Sequence, residues 1–402
     1  MNRSTRPVKW VLPLVLASAL ALSACSNASS DDDAAGSSSG GLAGGGSGET
    51  YRIAFEGPLS GDNQQLGINE VNAVELAIEQ ANDSGDLGFT LELVRADDQG
   101  DPAIAPTAAA SVLQDDSILG VVGPSFSGAT KAVATTYGEA NMAMISPSAT
   151  NDTLTTSGYP TFHRVVPPDS LEGTQLADYL ATKNYSSMVV IDDLSDYGKG
   201  VADVVQSALE GAGVQVTRLG VDAKTTDYGA TAQQVASSGA QAVFYGGYDA
   251  QAAQLAQALQ TAGFEGDKYT GNGGKSSVFT DGAGDAGNGW YFSCGCSDAV
   301  TSPDAQDFTA AYKAKFNTDP STYSPEAYDA ANAMIEAIKT AAEDGAPTRE
   351  SVEDAVNDLN YTGITTTVAF DENGELEASS QVINLFQQEN GVITLLGNIK
   401  EQ

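Results

Sequence analysis

The sequence predicts an α/β protein built from two doubly wound lobes. From residue 51 onward, short apolar, β-like runs alternate with longer runs that place apolar residues at helical spacing. The repeated unit has roughly 25–30 residues, typical of strand–helix units in a parallel sheet flanked by helices. The series stops at Val165-Val166-Pro167-Pro168-Asp169 and then begins again. We therefore expect two similar lobes, one on each side of this break.

The first series opens with a predicted strand over residues 51–55. A helix follows, whose apolar face carries Val71, Val74, Ile78 and Ala81. A second strand is predicted over residues 89–95, where apolar and polar residues alternate. The remaining predicted elements of this series are strand 118–122, helix 128–140 and strand 142–146.

The second series shows the same alternation of predicted strands and helices. Its predicted strands are 187–191, 214–219, 242–245, 269–271 and 289–293, and its predicted helices are 198–210, 230–238 and 250–262. The last hundred residues differ, because helical patterns follow one another over residues 305–316, 325–342 and 349–357. Two final strands, 364–370 and 381–386, are predicted on either side of a turn at Asp371-Glu372-Asn373-Gly374. These segments could complete lobes already begun and make both lobes discontinuous.

The N-terminus is typical of an exported lipoprotein. Arg3, Arg6 and Lys9 precede a short apolar run over residues 10–22, which is too short to span a membrane. Leu22-Ser23-Ala24-Cys25 resembles the lipobox of bacterial lipoproteins, in which the cysteine is acylated and becomes the mature N-terminus. We therefore expect a signal peptide over residues 1–24, and a lipidated Cys25 that opens a flexible Ser/Gly/Asp linker over residues 25–49. An ordinary signal peptide with a chance cysteine is the alternative.

Composition excludes several classes of function. The chain has 18 Lys and Arg residues against 53 Asp and Glu residues, a formal net charge of −35. Nucleic acids and anionic membrane surfaces both require positive charge, so neither is expected as a partner. Cys294 and Cys296 are separated by one residue, which permits a tight local disulfide, two free thiols or, with further ligands, a metal site. The single histidine, His163, lies far away in sequence, so we expect no metal and no cofactor.

No catalytic motif is complete. Residues 271–276 lack the first glycine of a phosphate-binding loop, because Tyr269 stands at its position. Residues 123–128 resemble a nucleophile elbow, but Ser127 replaces the closing glycine. His163 lies in an apolar run that favours a structural role. We therefore expect that the protein is not an enzyme, although an acid pair of the glycosidase kind is not excluded by counting carboxylates.

Two loops are candidates for binding an anion. Residues 123–130 and 146–152 each follow a β-like run, open a helix, and are rich in Ser and Thr. Ligands of doubly wound sheets bind beyond the carboxyl ends of the strands, and helix N-termini supply free N–H groups there. A carboxylate is a suitable ligand. The alternative is that these hydroxyls only cap helices.

Ordered motifs resemble those of the periplasmic leucine/isoleucine/valine-binding proteins, type I substrate-binding proteins of ABC importers. The similar segments extend from residue 51 to nearly the end of the chain, and they are Pro58-Leu59-Ser60-Gly61 with Gly67, Ile145 to Asn151, Asp193 with Tyr197-Gly198, Tyr245 to Tyr248, and Ala369 to Gly374. The resemblance implies two α/β lobes joined by a three-crossing hinge, with ligand enclosed between them. We expect lobe 1 to comprise residues 50–168 plus 297–370, and lobe 2 residues 169–296 plus 371–402.

The resemblance also assigns site residues. Ser127 and Thr150 match hydroxyl residues that bind the α-carboxylate of the ligand, and Ser148 matches a residue whose backbone carbonyl receives the α-ammonium. Three tyrosines match aromatic residues of the binding site. Tyr197 and Tyr248 match rings that the second lobe brings over the ligand, and Tyr323 matches an aromatic near its side chain.

Two positions depart from the family pattern. Gly273 stands where the family has the acid that meets the ligand ammonium, and Leu66 replaces an aromatic at the pocket mouth. Burying an ammonium without a counter-charge is costly. Either another acid serves, with Asp249 and Asp193 as candidates, or the ligand is not a standard amino acid.

The expected function is therefore ligand capture for transport. We expect an exported lipoprotein, monomeric and anchored to the outer face of the cell membrane or the periplasmic side. It would bind a small carboxylate-bearing ligand, best matched by a branched-chain amino acid, and deliver it to an ABC permease. The alternatives are a binding protein for an amide, urea-like or aromatic acid ligand, a ligand sensor, and a hydrolase that uses cleft carboxylates.

Overall fold

The computed structural model describes residues 48–402 of the protein. The predicted signal peptide, Cys25 and nearly all of the predicted linker lie outside these residues. Within residues 48–402, no helix combines the length and the apolar character needed to cross a membrane.

Strands and helices alternate along most of this chain. The strands are β1 (Thr50–Gly57), β2 (Thr90–Asp97), β3 (Ile118–Val122), β4 (Ala143–Ser146), β5 (Phe162–Arg164), β6 (Ser187–Asp192), β7 (Gln215–Gly220), β8 (Ala242–Gly246), β9 (Asp267–Thr270), β10 (Trp290–Cys294), β11 (Tyr361–Thr362), β12 (Thr367–Val368), β13 (Asn384–Glu389) and β14 (Val392–Asn398). The α-helices are α1 (Gln64–Ser84), α2 (Ala105–Leu113), α3 (Ser127–Glu139), α4 (Thr153–Thr156), α5 (Asp169–Thr182), α6 (Asp196–Gly211), α7 (Gly229–Ser237), α8 (Asp249–Thr261), α9 (Ser277–Ala283), α10 (Gln306–Phe316), α11 (Ser324–Glu343) and α12 (Arg349–Asn357).

The strands form two large sheets, one in each lobe. The first has the order β2-β1-β3-β4-β5, and all its pairs are parallel. The second has the order β14-β13-β10-β9-β8-β6-β7, and it is parallel from β10 to β7. Its other edge is antiparallel, because β13 pairs with β10 and β14 with β13. In both sheets the strand order reverses inside the sheet, between β1 and β3 and between β6 and β8, where ligand crevices form in such folds.

Burial explains why these segments form parallel sheets. All five residues of β3 and of β8 are buried, as expected for strands covered by helices on both faces. Helix α1 buries the face that carries Val71, Val74 and Ile78, and it ends at Gly85, whose φ of 74° is the left-handed conformation that glycine readily adopts. The C-terminal helices α11 and α12 pack into the same hydrophobic core as β1 and α1.

The chain passes between the two sheets three times, after β5, after β10 and after β12. A disulfide joins Cys294 to Cys296 in the second passage. Gly295 lies against Pro167 of the first passage, since an added Cβ would lie 2.6 Å from the proline Cδ. Asn384, which follows the third passage, donates its amide to the carbonyl of Cys296 at 3.0 Å. The three connections therefore lie side by side. The residue limits of the two lobes stay a prediction.

Several predicted elements were wrong or missing. The expected strand over residues 364–370 is reduced to β12, which pairs with β11. The expected strand over residues 381–386 is β13, which pairs with β10 and β14 instead. Helices α2 and α5 and strands β5 and β14 were not predicted. Strand β5 has only three residues, and α5 buries Asp169 and Glu172, which interrupt an apolar pattern.

Candidate functional site

Loops from neighbouring strands build the first wall of the site. Strands β3 and β4 are adjacent, so the loops that follow them lie together at the same sheet edge. Ser148 donates its hydroxyl to the carbonyl of Ser125 at 2.7 Å, which ties the two loops to each other. The hydroxyl oxygen of Ser127, at the start of α3, accepts the backbone N–H of Asn151 at 3.2 Å. Leu66, near the start of α1, completes this wall.

Loops of the second sheet build the opposite wall. Tyr197 lies in the first turn of α6 after β6, Tyr248 follows β8, and Asn272 and Gly273 follow β9. The Tyr197 hydroxyl oxygen accepts the backbone N–H of Gly273 at 3.0 Å. A Cβ atom at Gly273 would lie 2.6 Å from Cε1 of Tyr197 and 2.8 Å from the carbonyl oxygen of Gly247. A glutamate at this position would therefore displace the Tyr197 ring.

The two walls enclose a narrow cavity. Its lining residues are Leu66, Ser125, Phe126, Ser127, Ser148, Tyr197, Tyr248, Asn272, Gly273 and Tyr323. Its volume is about 10 Å³, the space of one water molecule. In this conformation the lobes are therefore closed against each other.

Most of the predicted site residues meet at this cavity. Ser127, Ser148, Tyr197, Tyr248, Gly273 and Tyr323 all belong to its wall. Thr150 is buried near it but is not a lining residue, and its hydroxyl lies beside the Asp169 carboxyl without a hydrogen bond of normal geometry. The sequence did not single out Ser125, Phe126 or Asn272 as site residues, because one serine, one aromatic and one amide in loops carry no pattern of their own.

Aromatic rings close the cavity across the two lobes. Phe126 of the first wall stacks on Tyr248 of the second, with ring centroids 4.2 Å apart and planes 17° apart. Tyr197 lies 5.3 Å from Tyr248 in a tilted arrangement. Tyr323, at the start of α11, has a φ of 66°. The Tyr323 hydroxyl is buried and has no hydrogen-bond partner within residues 48–402.

Arg164 braces the loop that carries Thr150. Its Nη1 donates to the carbonyls of Ala149 at 3.3 Å and Asn151 at 2.9 Å, on either side of Thr150. Its Nε donates to Oε1 of Glu375 at 2.8 Å, and its Nη2 pairs with the second carboxylate oxygen. Arg164 is fully buried. This pair joins positions 211 residues apart, so the sequence offered no local signal for it.

No aspartate, glutamate, lysine or arginine lines the cavity, but two buried glutamates lie behind its walls. Burial raises the pKa of Glu70 to about 8, against the opposing effect of a hydrogen bond from the Ser125 hydroxyl. Burial also raises the pKa of Glu172 to about 7, although Asn272 and Ser293 donate hydrogen bonds to it. Both carboxyls are therefore easier to protonate than exposed ones.

The two acids suggested by sequence to meet an ammonium have other partners. One carboxylate oxygen of Asp249 accepts the backbone N–H of Ala250 at 2.8 Å, and the other accepts the Ser276 hydroxyl. Oδ1 of Asp193 accepts the backbone N–H of Ser195 at 2.9 Å and its hydroxyl, whereas Oδ2 has no hydrogen-bond partner within residues 48–402. Neither acid is a lining residue of the closed cavity.

His163 contributes to the interior of the first lobe. Its Nε2 lies 3.3 Å from Oδ1 of Asn357, and its ring contacts Phe370. Burial lowers the pKa of His163 to about 4. The residue is absent from the cavity wall, so the site contains no imidazole.

A larger outer cavity of about 420 Å³ lies on the solvent side of the Phe126–Tyr248 pair, which belongs to both cavities. Five aspartates and one lysine line it, and they are Asp62, Asp101, Asp193, Asp196, Asp222 and Lys224. Lys131 of α3 forms an ion pair at 2.7 Å with Asp196 of α6 beside it, across the two lobes. The mouth of the cleft is therefore predominantly acidic.

Two doubly wound lobes that close around a cavity define a ligand-enclosing binding protein. The chain belongs to the periplasmic binding protein family, whose model matches residues 50–390. Proteins of this family are exported, and they are substrate-binding components of transporters. The fold class and the family resemblance that the sequence predicted are both confirmed.

Individual relatives agree with this assignment. The Leucine-, isoleucine-, valine-, threonine-, and alanine-binding protein of Pseudomonas aeruginosa is 30% identical over 333 residues, which cover 82% of this chain and 88% of that protein. The branched-chain amino acid transporter substrate-binding protein LivJ of Streptococcus pneumoniae, solved in complex with isoleucine, has a TM-score of 0.78 and 26% identity, covering 87% of this chain and 100% of that one. A leucine-binding protein of Thermotoga maritima has the same fold, with a TM-score of 0.79 and 24% identity, covering 87% of this chain and 98% of that one.

Proposed function

We propose that this protein is the ligand-capturing component of an ABC importer and that its ligand is a branched-chain amino acid. The observation that carries the proposal is the closed cavity between the lobes, which has hydroxyl groups on one wall and aromatic rings on the other. Relatives known as binding proteins for leucine, isoleucine and valine support this ligand class.

The first wall would hold the carboxylate of the ligand. Ser127 stands at the N-terminus of α3, where free N–H groups and the helix dipole favour an anion. The Thr150 hydroxyl makes no hydrogen bond of normal geometry within residues 48–402 and is available as a donor. The backbone carbonyl of Ser148 would accept from the ammonium. The rings of Tyr197, Tyr248 and Tyr323 would then surround the aliphatic side chain.

The acidic mouth favours a ligand that carries an ammonium group. Its five aspartates outnumber its one lysine, so a simple monocarboxylate would be repelled on approach, whereas a zwitterion has no net charge to repel. An amino acid therefore fits this cleft better than an aromatic or aliphatic acid without an amino group.

Ligand binding requires the lobes to separate. A cavity of about 10 Å³ admits no amino acid, and the Phe126–Tyr248 stack closes it toward solvent. Bending of the three connections between the lobes would open the cleft, as in hinge motions of other two-lobed binding proteins. The closed form would then dock on the permease.

Attachment to the membrane would keep this docking efficient. We propose that Cys25 is lipidated and that the linker after it tethers a monomeric capture domain beside the permease. A flexible tether raises the effective concentration of the domain at its partner. Metabolic labelling with a radioactive fatty acid should label the wild type but not Cys25→Ser. Equal labelling of both would contradict the anchor.

Calorimetry with leucine, isoleucine and valine tests the ligand site. Ser127→Ala and Thr150→Ala are each expected to weaken binding roughly tenfold or more, through the loss of one charge-assisted hydrogen bond. Ser237→Ala, on the exposed end of α7, is the matched control and should bind normally. Unchanged affinity in both site variants would refute the carboxylate site.

The same samples test the class of function. Bound amino acid released by denaturation is expected to be chemically unchanged, and mass spectrometry can check this. Turnover of the ligand would favour the hydrolase alternative instead. A thermal-shift panel that includes polar amino acids, amides and aromatic acids would reveal a different ligand if branched-chain amino acids produce no shift.

A further inference from the structure

An ammonium group in this cavity would lack a charged partner in the wall. Burying an ammonium without compensation costs several kcal/mol. The family acid is replaced by Gly273, and no lysine, arginine or acid lines the cavity. The negative charge must therefore come from behind the wall, if the proposed function is right.

We propose that Glu70 of α1 supplies the negative charge that balances the ammonium group of the ligand. This inference rests on the proposed capture of an amino acid. In the family pattern the acid that meets the ammonium stands at the position of Gly273, in the second lobe. In this protein the acid would be Glu70, in the first lobe.

The position of Glu70 relative to the wall supports this role. Glu70 lies one turn after Leu66 on α1, so both residues share a face of the helix. Its Oε2 accepts the hydroxyl of Ser125, and Ser125 in turn accepts the Ser148 hydroxyl at its backbone carbonyl. Leu66, Ser125 and Ser148 all line the cavity. Ser148 is also the residue whose carbonyl would accept from the ammonium.

Glu70 has unused capacity for a donor. The residue is fully buried, and its Oε1 has no hydrogen-bond partner within residues 48–402. An unsatisfied buried acceptor is destabilising, and an ammonium group brings three N–H donors. The Ser125 hydroxyl lies in the cavity wall and donates to this carboxylate, so its oxygen can accept from such a group.

Within residues 48–402, the charged groups that act most strongly on Glu70 are acids. They are Asp98, which follows β2, and Glu326 of α11. The charge of Glu70 is also one of the causes that raise the pKa of Tyr323. Burial raises the pKa of Glu70 to about 8, so most of the carboxyl is protonated at pH 7. A ligand ammonium would favour the ionised form, so binding at pH 7 should release up to one proton.

Asp169 and Glu172 are the rival acids. Neither carboxylate oxygen of Asp169 has a hydrogen-bond partner within residues 48–402, but Asp169 lies beside Thr150, where the ligand carboxylate is expected. The oxygens of Glu172 are already occupied. Oε1 accepts the backbone N–H of Asn272 at 3.2 Å and the Ser293 hydroxyl at 2.8 Å, and Oε2 accepts the Asn272 side-chain amide at 2.6 Å. Three donors already compensate this carboxylate. Its role is to position Asn272 in the second wall.

The decisive experiment compares L-leucine with 4-methylpentanoate, which has the same carbon skeleton and carboxylate but no amino group. Calorimetry on the full chain would use the wild type, Glu70→Gln, Glu172→Gln and Glu56→Gln. Glu56 is a matched control, because it is fully buried in the same lobe, has a pKa of about 8, and does not line the cavity.

Glu70→Gln should weaken leucine binding roughly 10- to 100-fold and leave 4-methylpentanoate binding unchanged. Glu56→Gln should retain the wild-type preference for leucine. Wild-type leucine affinity in Glu70→Gln would overturn the inference, as would loss of the preference in Glu172→Gln alone. If the wild type binds neither branched-chain amino acids nor 4-methylpentanoate, the proposed function itself fails.

Proton release provides a second test that needs no variant. Leucine titrations of the wild type at pH 7, in two buffers of different ionisation enthalpy, should show release of up to one proton for each ligand bound. The 4-methylpentanoate titration should show none. Leucine binding without proton release would overturn the ionisation of Glu70 on ligand binding, and this result does not depend on the folding of Glu70→Gln.

Discussion

Replacing Glu375 by glutamine should reduce the free energy of unfolding by about 3 kcal/mol. Removing one member of a buried ion pair costs about 3–5 kcal/mol, because the remaining charge stays in the interior without compensation. The Arg164 side chain is 0% exposed, and the Glu375 side chain is 15% exposed. This partial hydration of the lost carboxylate places the expected cost at the lower end of the range. Arg164 would keep only neutral oxygen acceptors, namely the carbonyls of residues 149 and 151, the Thr155 hydroxyl and the single amide oxygen of the substituted side chain.

Urea unfolding followed by circular dichroism measures this cost. Asp319→Asn is the matched control, since it removes the partner of Lys313 in a pair whose side chains are 61% and 52% exposed. That control should lose less than about 1 kcal/mol. If Glu375→Gln also loses less than about 1 kcal/mol, the reasoning about the buried pair is refuted. Ligand affinity should fall as well, because Arg164 holds the loop that carries Thr150.

Further predictions concern Gly273 and the buried acids. Gly273→Ala should destabilise the protein by about 1–3 kcal/mol and weaken ligand binding, because its Cβ would lie 2.6 Å from Cε1 of Tyr197. Gly211→Ala is the control, with open space around its Cβ, and normal binding in both variants would contradict the steric argument. Burial raises the pKa of Glu56 to about 8 and of Asp98 to about 7, so the folded state holds protons that the unfolded state has already lost. The free energy of unfolding should therefore fall as the pH rises from about 6.5 to about 8, by up to about 1.4 kcal/mol per pH unit for each group. Equal urea midpoints across this interval would contradict that assignment.

The parts of the site that sequence could predict lie next to regular strands. An apolar run followed by Ser and Thr predicted the loops after β3 and β4, and adjacent strands bring these loops together. Tyr197 and Tyr248 were assigned through the family resemblance, from motifs that follow β6 and β8. Strand order could not be read from the sequence. The prediction that the loops after β6, β8 and β9 lie together therefore depended on the family resemblance.

The parts that sequence missed depend on contacts between distant residues. Glu70 lies in an amphipathic helix, where a glutamate normally indicates the solvent face, and only the packing of α1 against the loop after β3 buries it. Arg164 lies in a segment that was interpreted as an apolar run, and Glu375 directly follows the predicted turn over residues 371–374. Strand β14 was missed because its residues are mostly exposed and it lies at the edge of the sheet.

The disulfide between Cys294 and Cys296 has a mechanical consequence. It closes three residues into a covalent ring inside one of the three passages between the lobes, and this ring limits the backbone rotations of Gly295. The lobe separation that the proposed function requires must then be absorbed mainly by the other two passages. The middle passage would keep its backbone conformation while the other two change theirs. The lobes would therefore rotate about this passage and keep their separation there. A reducing agent that cleaves this disulfide would make the middle passage more flexible without changing any residue of the cavity wall.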